Sequence, residues 1–399
     1  MTATQTSHSN RESSKSSAEH LYLAFELGWT KWTLGFTAGF GQKVHRRTIE
    51  ARDLVALGRE IAKAREQFKM SNSARIVSCY EAGRDGFWLH RCLLKQGIQN
   101  IIVDSASIEV NRRAKRAKTD QLDVQKLLSM LLRHDHGEQK VWSVVSPPSV
   151  EDEDARQLHR ELKTLKGDRT RHSNRIKGLL AGCGLSVKVE EDLPQALEKL
   201  KTWEGKPFVK VYPSLRERVL REFERMQLVE KDIRHLHRER AKQIRQGEGK
   251  QMDMVRQLLS LPGIGQNGAW LYVMECFGWR KINNRRELGS LVGLTPPPFQ
   301  SGDTARDQGM SKAGSRWMRS IAIELGWCWL RFQPRSQLSR WYQRRFGGGS
   351  KRVRKIGIVA LARKLLIKLW QYLETGELPE GALVVDWRQK LSGQSRRAA

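Results

Sequence analysis

Four carboxylates in the first third of the chain have the types and positions that metal-dependent phosphoryl transfer requires. Glu26 ends one apolar run and Glu81 follows another, while Asp120 and Asp123 lie three residues apart at the predicted start of a helix and so share one helix face. Converging acids repel each other unless a cation is present, and Mg²⁺ prefers carboxylate oxygens. One or two Mg²⁺ ions would stabilise the attacking and leaving oxygens of a phosphate displacement. Asp104 ends a further apolar run and is a spare candidate ligand.

The elements that would position these acids alternate between strand and helix patterns. The sequence predicts strands over 21–26, 32–37, 44–49, 76–80 and 100–104, and helices over 54–68, 87–96 and 119–133. Three strands followed by helix, strand, helix and strand is the order of an RNase H-like fold, an α/β fold with a mixed sheet. In such a sheet the strands that carry Glu26 and Glu81 are neighbours.

A serine in a basic, glycine-rich stretch is a second candidate for chemistry. Ser301 precedes a glycine within Gly293–Gly314, a stretch whose composition predicts a long loop. Cations on both sides could stabilise charge developing on a phosphate under attack by a hydroxyl; they are Arg306, Lys312, Arg316 and Arg319. Ser311 and Ser315 lie in the same stretch and are alternative nucleophiles, and an ordinary loop serine remains open.

The composition indicates a polyanionic partner. The chain of 399 residues has 72 Lys and Arg against 43 Asp and Glu, a formal net charge of +29, which favours nucleic acid. A basic cluster beside the Asp120 helix would draw a phosphate backbone towards the acids, or is a solvated loop; its members are Arg112, Arg113, Lys115, Arg116 and Lys118.

Other features exclude several classes of protein. No stretch approaches the roughly 20 apolar residues of a membrane span, and the N-terminus lacks the apolar core of a signal peptide. The five cysteines contain no CxxC pair, which argues against a zinc site and a disulfide framework. We therefore expect a cytoplasmic protein with no membrane partner.

The turn Leu261-Pro-Gly-Ile-Gly265 is typical of a helix-hairpin-helix motif. Gly263 and Gly265 would let backbone N–H groups approach a phosphate without a side chain in the way. An ordinary turn between two helices is the alternative.

Composition and periodicity predict several segments. We expect a disordered tail (1–19), the α/β domain (20–146), a connector (150–250), a mostly helical domain (251–383) and a flexible tail (384–399). Apolar residues at helical spacing predict two long connector helices that form an antiparallel or dimerising coiled-coil hairpin. The first is heavily basic and could contact phosphates; its cations are Arg156, Arg160, Lys163, Lys166, Arg169, Arg171, Arg175 and Lys177. The role of 184–214, between these helices, is not evident. Trp29, Trp32, Trp317 and Trp341 lie near basic clusters and could stack on bases, but core packing is favoured for most.

The motifs occur in the order of one family. Tyr80-Glu-Ala-Gly-Arg-Asp-Gly-Phe-Trp88, Ala117-Lys-Thr-Asp-Gln-Leu-Asp-Val124, the Leu261 turn, Gly293-Leu-Thr-Pro296, Ser301-Gly302 and Gly309-Met-Ser-Lys-Ala-Gly314 follow one another. The chain resembles the insertion-sequence transposases with a DEDD carboxylate set, also known as bridge-RNA-guided recombinases. The resemblance spans about Leu21 to Ala382. One departure is that the first acid of the family is usually Asp, whereas this chain has Glu26.

The resemblance implies an N-terminal RuvC-like domain, a coiled-coil connector and a C-terminal transposase domain. It assigns the acids to Glu26, Glu81, Asp120 and Asp123 and the nucleophile to Ser301, which would form a phosphoserine linkage to DNA and leave a free 3′-hydroxyl. A structured guide RNA would pair with double-stranded donor and target DNA. The active assembly would be a homo-oligomer, a dimer or a tetramer in which acids of one subunit face the serine of another.

Two other functions compete with this one. A plain RuvC-like nuclease or junction resolvase would use the same acids and water, but would leave the C-terminal third without a chemical role. A non-catalytic nucleic-acid binder would explain the charge alone.

Overall fold

The chain divides into two compact units, residues 1–147 and 148–399, in a computed structural model. The structure describes residues 20–108, 120–138, 140–296, 298–301, 304–307, 309–312 and 314–395. The expected N-terminal tail (1–19) and the basic cluster at 112–118 lie outside these residues. The division falls beside the boundary expected between 146 and 150, and the expected connector and C-terminal domain lie within one unit.

A five-stranded mixed sheet forms the centre of the first unit. Its strands are β1 (His20–Leu27), β2 (Lys31–Thr37), β3 (His45–Glu50), β4 (Arg75–Glu81) and β5 (Gln99–Val103). Their spatial order is β3-β2-β1-β4-β5, with β1 antiparallel to β2, β2 antiparallel to β3, and β4 parallel to both β1 and β5. The strand predictions are confirmed to within one residue at each end.

Helices cover both faces of this sheet, as the near-continuous apolar runs of β1 and β4 require. On one face, α1 (Leu54–Gln67) and α2 (Trp88–Lys95) pack against Leu23 and Phe25 of β1. On the other face, α3 (Asp120–Asp135) packs against Tyr22 and Ala24. Successive strand residues point to opposite faces, so Glu26 and Glu81 belong to the α3 face.

The close approach of α3 to the sheet depends on Gly35 in β2. A Cβ at Gly35 would overlap Val124 and come within 2.9 Å of Leu128, both on α3. Gly35 is paired with Ala24 of β1, so two small residues form the floor on which α3 lies.

Two long helices dominate the first half of the second unit. They are α5 (Gln157–Ala181), which follows the short α4 (Val150–Asp154), and α8 (Pro213–Gln246). Arg169 pairs with Glu230, and Arg175 pairs with Glu222. Because residue numbers decrease along α8 as they increase along α5, the two helices are antiparallel. The segment between them forms α6 (Leu193–Lys199) and α7 (Phe208–Val211). Three apolar side chains of this segment are buried against the C-terminal end of α5 and the N-terminal end of α8; they are Leu193, Leu197 and Phe208. The 184–214 segment therefore has a packing role.

The second half of this unit is mostly helical. It comprises α9 (Lys250–Leu259), α10 (Gln266–Tyr272), α11 (Arg285–Val292), β6 (Pro298–Ser301), β7 (Thr304–Asp307), α12 (Arg316–Phe332), α13 (Gln337–Tyr342), α14 (Lys351–Thr375) and α15 (Trp387–Ser395). One π-helical turn, Val273–Phe277, follows α10, and another, Gln343–Gly347, follows α13. Trp270, Trp329, Leu361 and Leu365 are among the residues at the centre of its core. None of the described helices is long and apolar enough to cross a membrane.

Two segments differ from the sequence prediction. The expected long loop over Gly293–Gly314 contains the antiparallel pair β6–β7, because Gly302-Asp303 between two extended stretches is a hairpin signal that the glycine and proline content obscured. The expected flexible tail contains α15, with Leu391 buried in the core. Leu391 is a single apolar residue in a polar stretch, so periodicity gave no signal for it.

Candidate catalytic sites and basic surfaces

Glu26 and Glu81 lie at adjacent strand ends in the first unit. The parallel register of β1 and β4 pairs Phe25 with Tyr80, so each glutamate is the residue that follows this pair. Both line one pocket of about 260 Å³ at the carboxyl ends of the strands. The sequence prediction that the strands carrying these two acids are neighbours is confirmed by this register.

Asp123 lies on the helix that covers these strand ends. The Tyr22 hydroxyl donates to Asp135 at 2.7 Å, and the Cys79 Sγ lies 3.8 Å from the Leu127 carbonyl oxygen. The α3 helix therefore runs antiparallel to β1 and β4, and one turn back from Leu127 corresponds to about two strand residues beyond Cys79. This places Asp123 over the end of β4, where Glu81 lies.

The remaining predicted ligands are placed less directly. The backbone of Asp120 begins α3, but its side chain lies outside the described ones. The side chain of Asp104 accepts a hydrogen bond from the Ala106 N–H at 3.1 Å and caps a short 3₁₀ turn, which gives it a structural role. Among the described side chains, no three acids, histidines or cysteines come close enough together to hold a metal ion.

The pocket also contains residues that the sequence reasoning did not single out. Asp85 and Arg84 line it beside the two glutamates, and Asp85 pairs with Arg84 at 3.4 Å and with Arg52 at 3.5 Å. Both guanidinium carbons lie 4.9 Å from the ring centroid of Trp29, which is 64% exposed. The signal was available, because Asp85 lies in the turn directly after the strand that ends at Glu81. The exposed, cation-flanked ring is suited to stacking, whereas Trp32 is fully buried core.

Ser301 lies at the end of a short hairpin in the second unit. It is paired with Thr304, and Phe299 is paired with Arg306; the side chains of both strands lie outside the described ones. The base of the hairpin is tied down where the Ser311 N–H donates to the Thr295 carbonyl at 3.1 Å. The strand pairing thus fixes the backbone of Ser301 at the end of β6.

The alternative serines have different surroundings. Ser315 is the N-cap of α12, and its Oγ accepts from the Met318 N–H at 3.3 Å, so a structural role accounts for it. Ser311 is exposed. Of the cations named beside them, Lys312 and Arg316 are exposed, whereas Arg319 donates to the Val292 carbonyl at 3.2 Å and helps to hold α12 against the end of α11.

The Leu261–Gly265 turn joins α9 to α10. Gly263 has φ +93°, and a Cβ there would lie 3.1 Å from the Cys328 carbonyl oxygen, whereas a Cβ on Gly265 would meet nothing within 4 Å. Two carbonyls of the turn, those of Leu261 and Ile264, accept from Lys390 Nζ of α15 at 2.6 and 3.2 Å. Burial lowers the pKa of Lys390 to about 8. Gly263 is therefore required by packing, and Gly265 is the open position of the pair.

Ion pairs occupy much of the predicted basic face of α5. Arg156 is 4% exposed and lies 3.7 Å from Glu275, Arg160 binds the same carboxylate, and Arg171 pairs with Asp168. Arg169 and Arg175 pair with acids of α8. Tertiary packing thus brings acids to these five arginines, so part of their positive charge is balanced within the chain. Lys163 and Lys177 have no acidic partner among the described side chains.

Comparison with known proteins gives one consistent result. Residues 255–341 match the model of the "Transposase IS116/IS110/IS902 family". A protein of Sinorhizobium fredii (strain NBRC 101917 / NGR234) named "Putative transposase y4rJ" is 36% identical over 377 residues, which cover 91% of this chain and 94% of that protein. A protein of Pseudomonas aeruginosa named "Probable family 20 transposase" is 26% identical over 255 residues, 60% of this chain and 72% of that protein.

Proposed function

The chain belongs to the IS116/IS110/IS902 family of transposases, and on that premise we propose that it cuts and rejoins double-stranded DNA with two sets of residues. The first is a Mg²⁺-binding carboxylate site formed by Glu26, Glu81, Asp120 and Asp123. The second is the nucleophile Ser301. The observation that carries the proposal is the meeting of Glu26 and Glu81 in one pocket beneath the helix that bears Asp123.

The sheet supports an RNase H-like, that is RuvC-like, assignment for the first unit. The strand order is β3-β2-β1-β4-β5, with β3, β2 and β1 antiparallel and β4 parallel to β1 and β5, so the strands that carry Glu26 and Glu81 are neighbours, as expected for an RNase H-like sheet. In this arrangement the acids stand at the carboxyl ends of the central strands, where open α/β sheets place their sites.

Magnesium fits the donor set. All four candidate ligands are carboxylates, which suit a hard cation, and Glu at position 26 retains that chemistry with a side chain one methylene longer than Asp. When bound, Mg²⁺ would supply charge stabilisation at the phosphate oxygens. The chain's own part is to hold the ligands at the carboxyl ends of two adjacent strands, with α3 packed closely on the sheet at Gly35.

Ser301 is proposed to attack a DNA phosphate. Its Oγ forms the bond to phosphorus while the bond from phosphorus to the 3′-oxygen breaks, and the serine proton is passed to that oxygen. The products are a phosphoserine linkage and a free 3′-hydroxyl, and the exposed cation Lys312 would stabilise charge on the phosphate.

A structured guide RNA and a homo-oligomeric assembly complete the proposal. With base pairing to donor and target DNA delegated to RNA, the protein would read mainly backbone and shape, which suits a chain of formal charge +29. We propose a dimer, and a tetramer in the active complex.

The decisive experiment compares serine variants of the full chain. We expect Ser301→Ala to form no covalent adduct with labelled donor DNA on a denaturing gel and to give no recombinants. Ser311→Ala and Ser315→Ala are the controls; the latter removes an N-cap at a cost of about 1 kcal/mol but should retain the adduct. An adduct formed by Ser301→Ala would exclude this nucleophile.

The same assay separates recombination from simple hydrolysis. Glu81→Gln and Asp123→Asn should abolish strand cleavage, as should removal of Mg²⁺ with EDTA. If the wild-type protein released free ends in Mg²⁺ without any adduct, a RuvC-like nuclease would be the better description.

The guide RNA has its own test. The protein is purified from cells that carry the DNA flanking its gene, and the small RNA that copurifies is sequenced. One defined RNA from that flank supports guidance, whereas random RNA or none argues against it.

A further inference from the structure

A basic groove in the second unit is lined by residues that take no part in the chemical step proposed above. Its cavity of about 680 Å³ is bounded on one side by α5 and on the other by the N-terminus of α12. The α5 wall includes Arg160, Lys163, Gly167 and Arg171, whose spacing places them on one helix face. Between Arg160 and Arg171 this face is about 16 Å long.

The charges of the groove are unevenly balanced. Glu275 at its floor is bound by His159 and by Arg160 at 2.9 and 2.8 Å, and Arg171 is paired with Asp168. Lys163 and Arg316, on opposite walls, have no acidic partner within 4 Å among the described side chains. Two uncompensated cations therefore face one cavity.

An aromatic ring lies beside Lys163 in the groove. The Lys163 ammonium is 4.5 Å from the ring centroid of Trp317, and the His159 ring stacks on Trp317 at 5.3 Å between centroids with an interplanar angle of 25°. Trp317 is thus held in place and only partly buried. Fixed aromatic rings beside cations are typical of surfaces that follow a nucleic-acid backbone.

Two further features suit a phosphate. The groove meets the N-terminus of α12, a helix of 17 residues, whose aligned peptide dipoles favour an anion there. On the α5 wall, Thr164 and Gly167 are small, so a chain in the groove can approach the helix closely.

We propose that this groove binds the phosphate backbone of duplex DNA, with Lys163 and Arg316 each contacting a phosphate. The choice of DNA rests on the proposed function of the chain as a DNA recombinase. The groove would hold DNA outside the reacting bonds and so add to affinity without reading sequence.

Salt dependence of binding gives a direct test. Binding of the full chain to a non-specific 30-bp duplex is measured by fluorescence anisotropy over a salt series, without guide RNA or Mg²⁺. The plot of log K against log salt has a negative slope, and its magnitude decreases by about 0.9 for each phosphate that is no longer neutralised. The double variant Lys163→Gln with Arg316→Gln should therefore have a slope smaller in magnitude by about 1.8. Lys177→Gln, which removes an exposed lysine of the same helix outside the groove, should leave the slope close to that of the wild-type protein.

The outcomes are distinguishable from failure of the proposed function. A double variant with the same slope as Lys177→Gln, and an unchanged melting temperature, would overturn the groove even if the wild-type protein recombines DNA. A reduced slope on an RNA duplex but not on DNA would overturn the choice of DNA. If the wild-type protein bound DNA with this pattern but formed no adduct, the proposal of a DNA-binding groove would be supported and the proposal that Ser301 is the nucleophile would be refuted.

Discussion

Glu275 is expected to contribute strongly to the stability of the second unit. It lies in the π-helical turn after α10, with a side chain only 12% exposed, and it accepts from His159 and, through both oxygens, from Arg160. Arg156, also buried, lies 3.7 Å away. The carboxylate thus ties α5 to the helical core.

The magnitude follows from the pKa of Glu275. Burial by itself would raise this pKa, but hydrogen bonds from His159 and Arg160 outweigh it and lower the pKa from 4.5 to about 2. A difference of about 2.5 units corresponds to about 3 kcal/mol of stability at neutral pH. Because the pKa is lower in the folded state, this contribution is complete above about pH 5 and is lost as the pH falls towards 2.

The perturbation is Glu275→Gln, which keeps the shape and removes the charge. We expect the free energy of unfolding, measured by urea denaturation with circular dichroism, to fall by about 2 to 3 kcal/mol at pH 7. The difference from the wild-type protein should shrink to less than half at pH 3. The control is Glu230→Gln, whose partner Arg169 is half-exposed, with an expected loss below about 1 kcal/mol. Equal losses in the two variants, or a loss for Glu275→Gln that did not change with pH, would refute the reasoning.

Two glycine substitutions with matched controls test the packing that positions the sites. Gly263→Ala should lower the free energy of unfolding by about 1 to 3 kcal/mol, because its φ is +93° and its Cβ would press on the Cys328 carbonyl, while Gly265→Ala should change it by less than about 0.5 kcal/mol; similar effects at both positions in urea titrations would contradict this account of the turn. Gly35→Ala should displace α3 from the sheet, because the added methyl overlaps Val124, and should therefore lower both stability, by about 1 to 3 kcal/mol, and Mg²⁺-dependent DNA cleavage. Its control, Gly58→Ala in α1, meets nothing within 4 Å and should be neutral or stabilising by up to about 1 kcal/mol; unchanged cleavage by Gly35→Ala would show that the position of Asp123 does not depend on this contact.

The sequence was sufficient for the sheet of the first unit. Alternating apolar runs with an acid at the end of two of them predicted β1 and β4 and the proximity of Glu26 to Glu81, because parallel neighbours end at the same edge. The contribution of Asp85 was accessible in principle, since it lies four residues beyond Glu81, but only the shape of the turn brings it into the pocket.

The second unit was less predictable. The sequence predicted a mostly helical domain over 251–383, but not the hairpin that carries Ser301 or the helix α15. Each strand of the hairpin has four residues, and α15 buries the single apolar residue Leu391, which is too little to produce a periodic pattern.

The sequence by itself determined the class of partner, through its charge, and the kinds of residue available for chemistry. It also determined the order of strands and helices, because local patterns of burial specify secondary structure. Only the tertiary structure decided which of the many cations remain available to a ligand. Arg160 and Lys163 are three residues apart on one helix, yet Arg160 is bound to Glu275, 115 residues away, while Lys163 lies over Trp317 at the groove. Their difference arises from the fold, because packing, and not helical periodicity, brings an acid to one of them and an aromatic ring to the other.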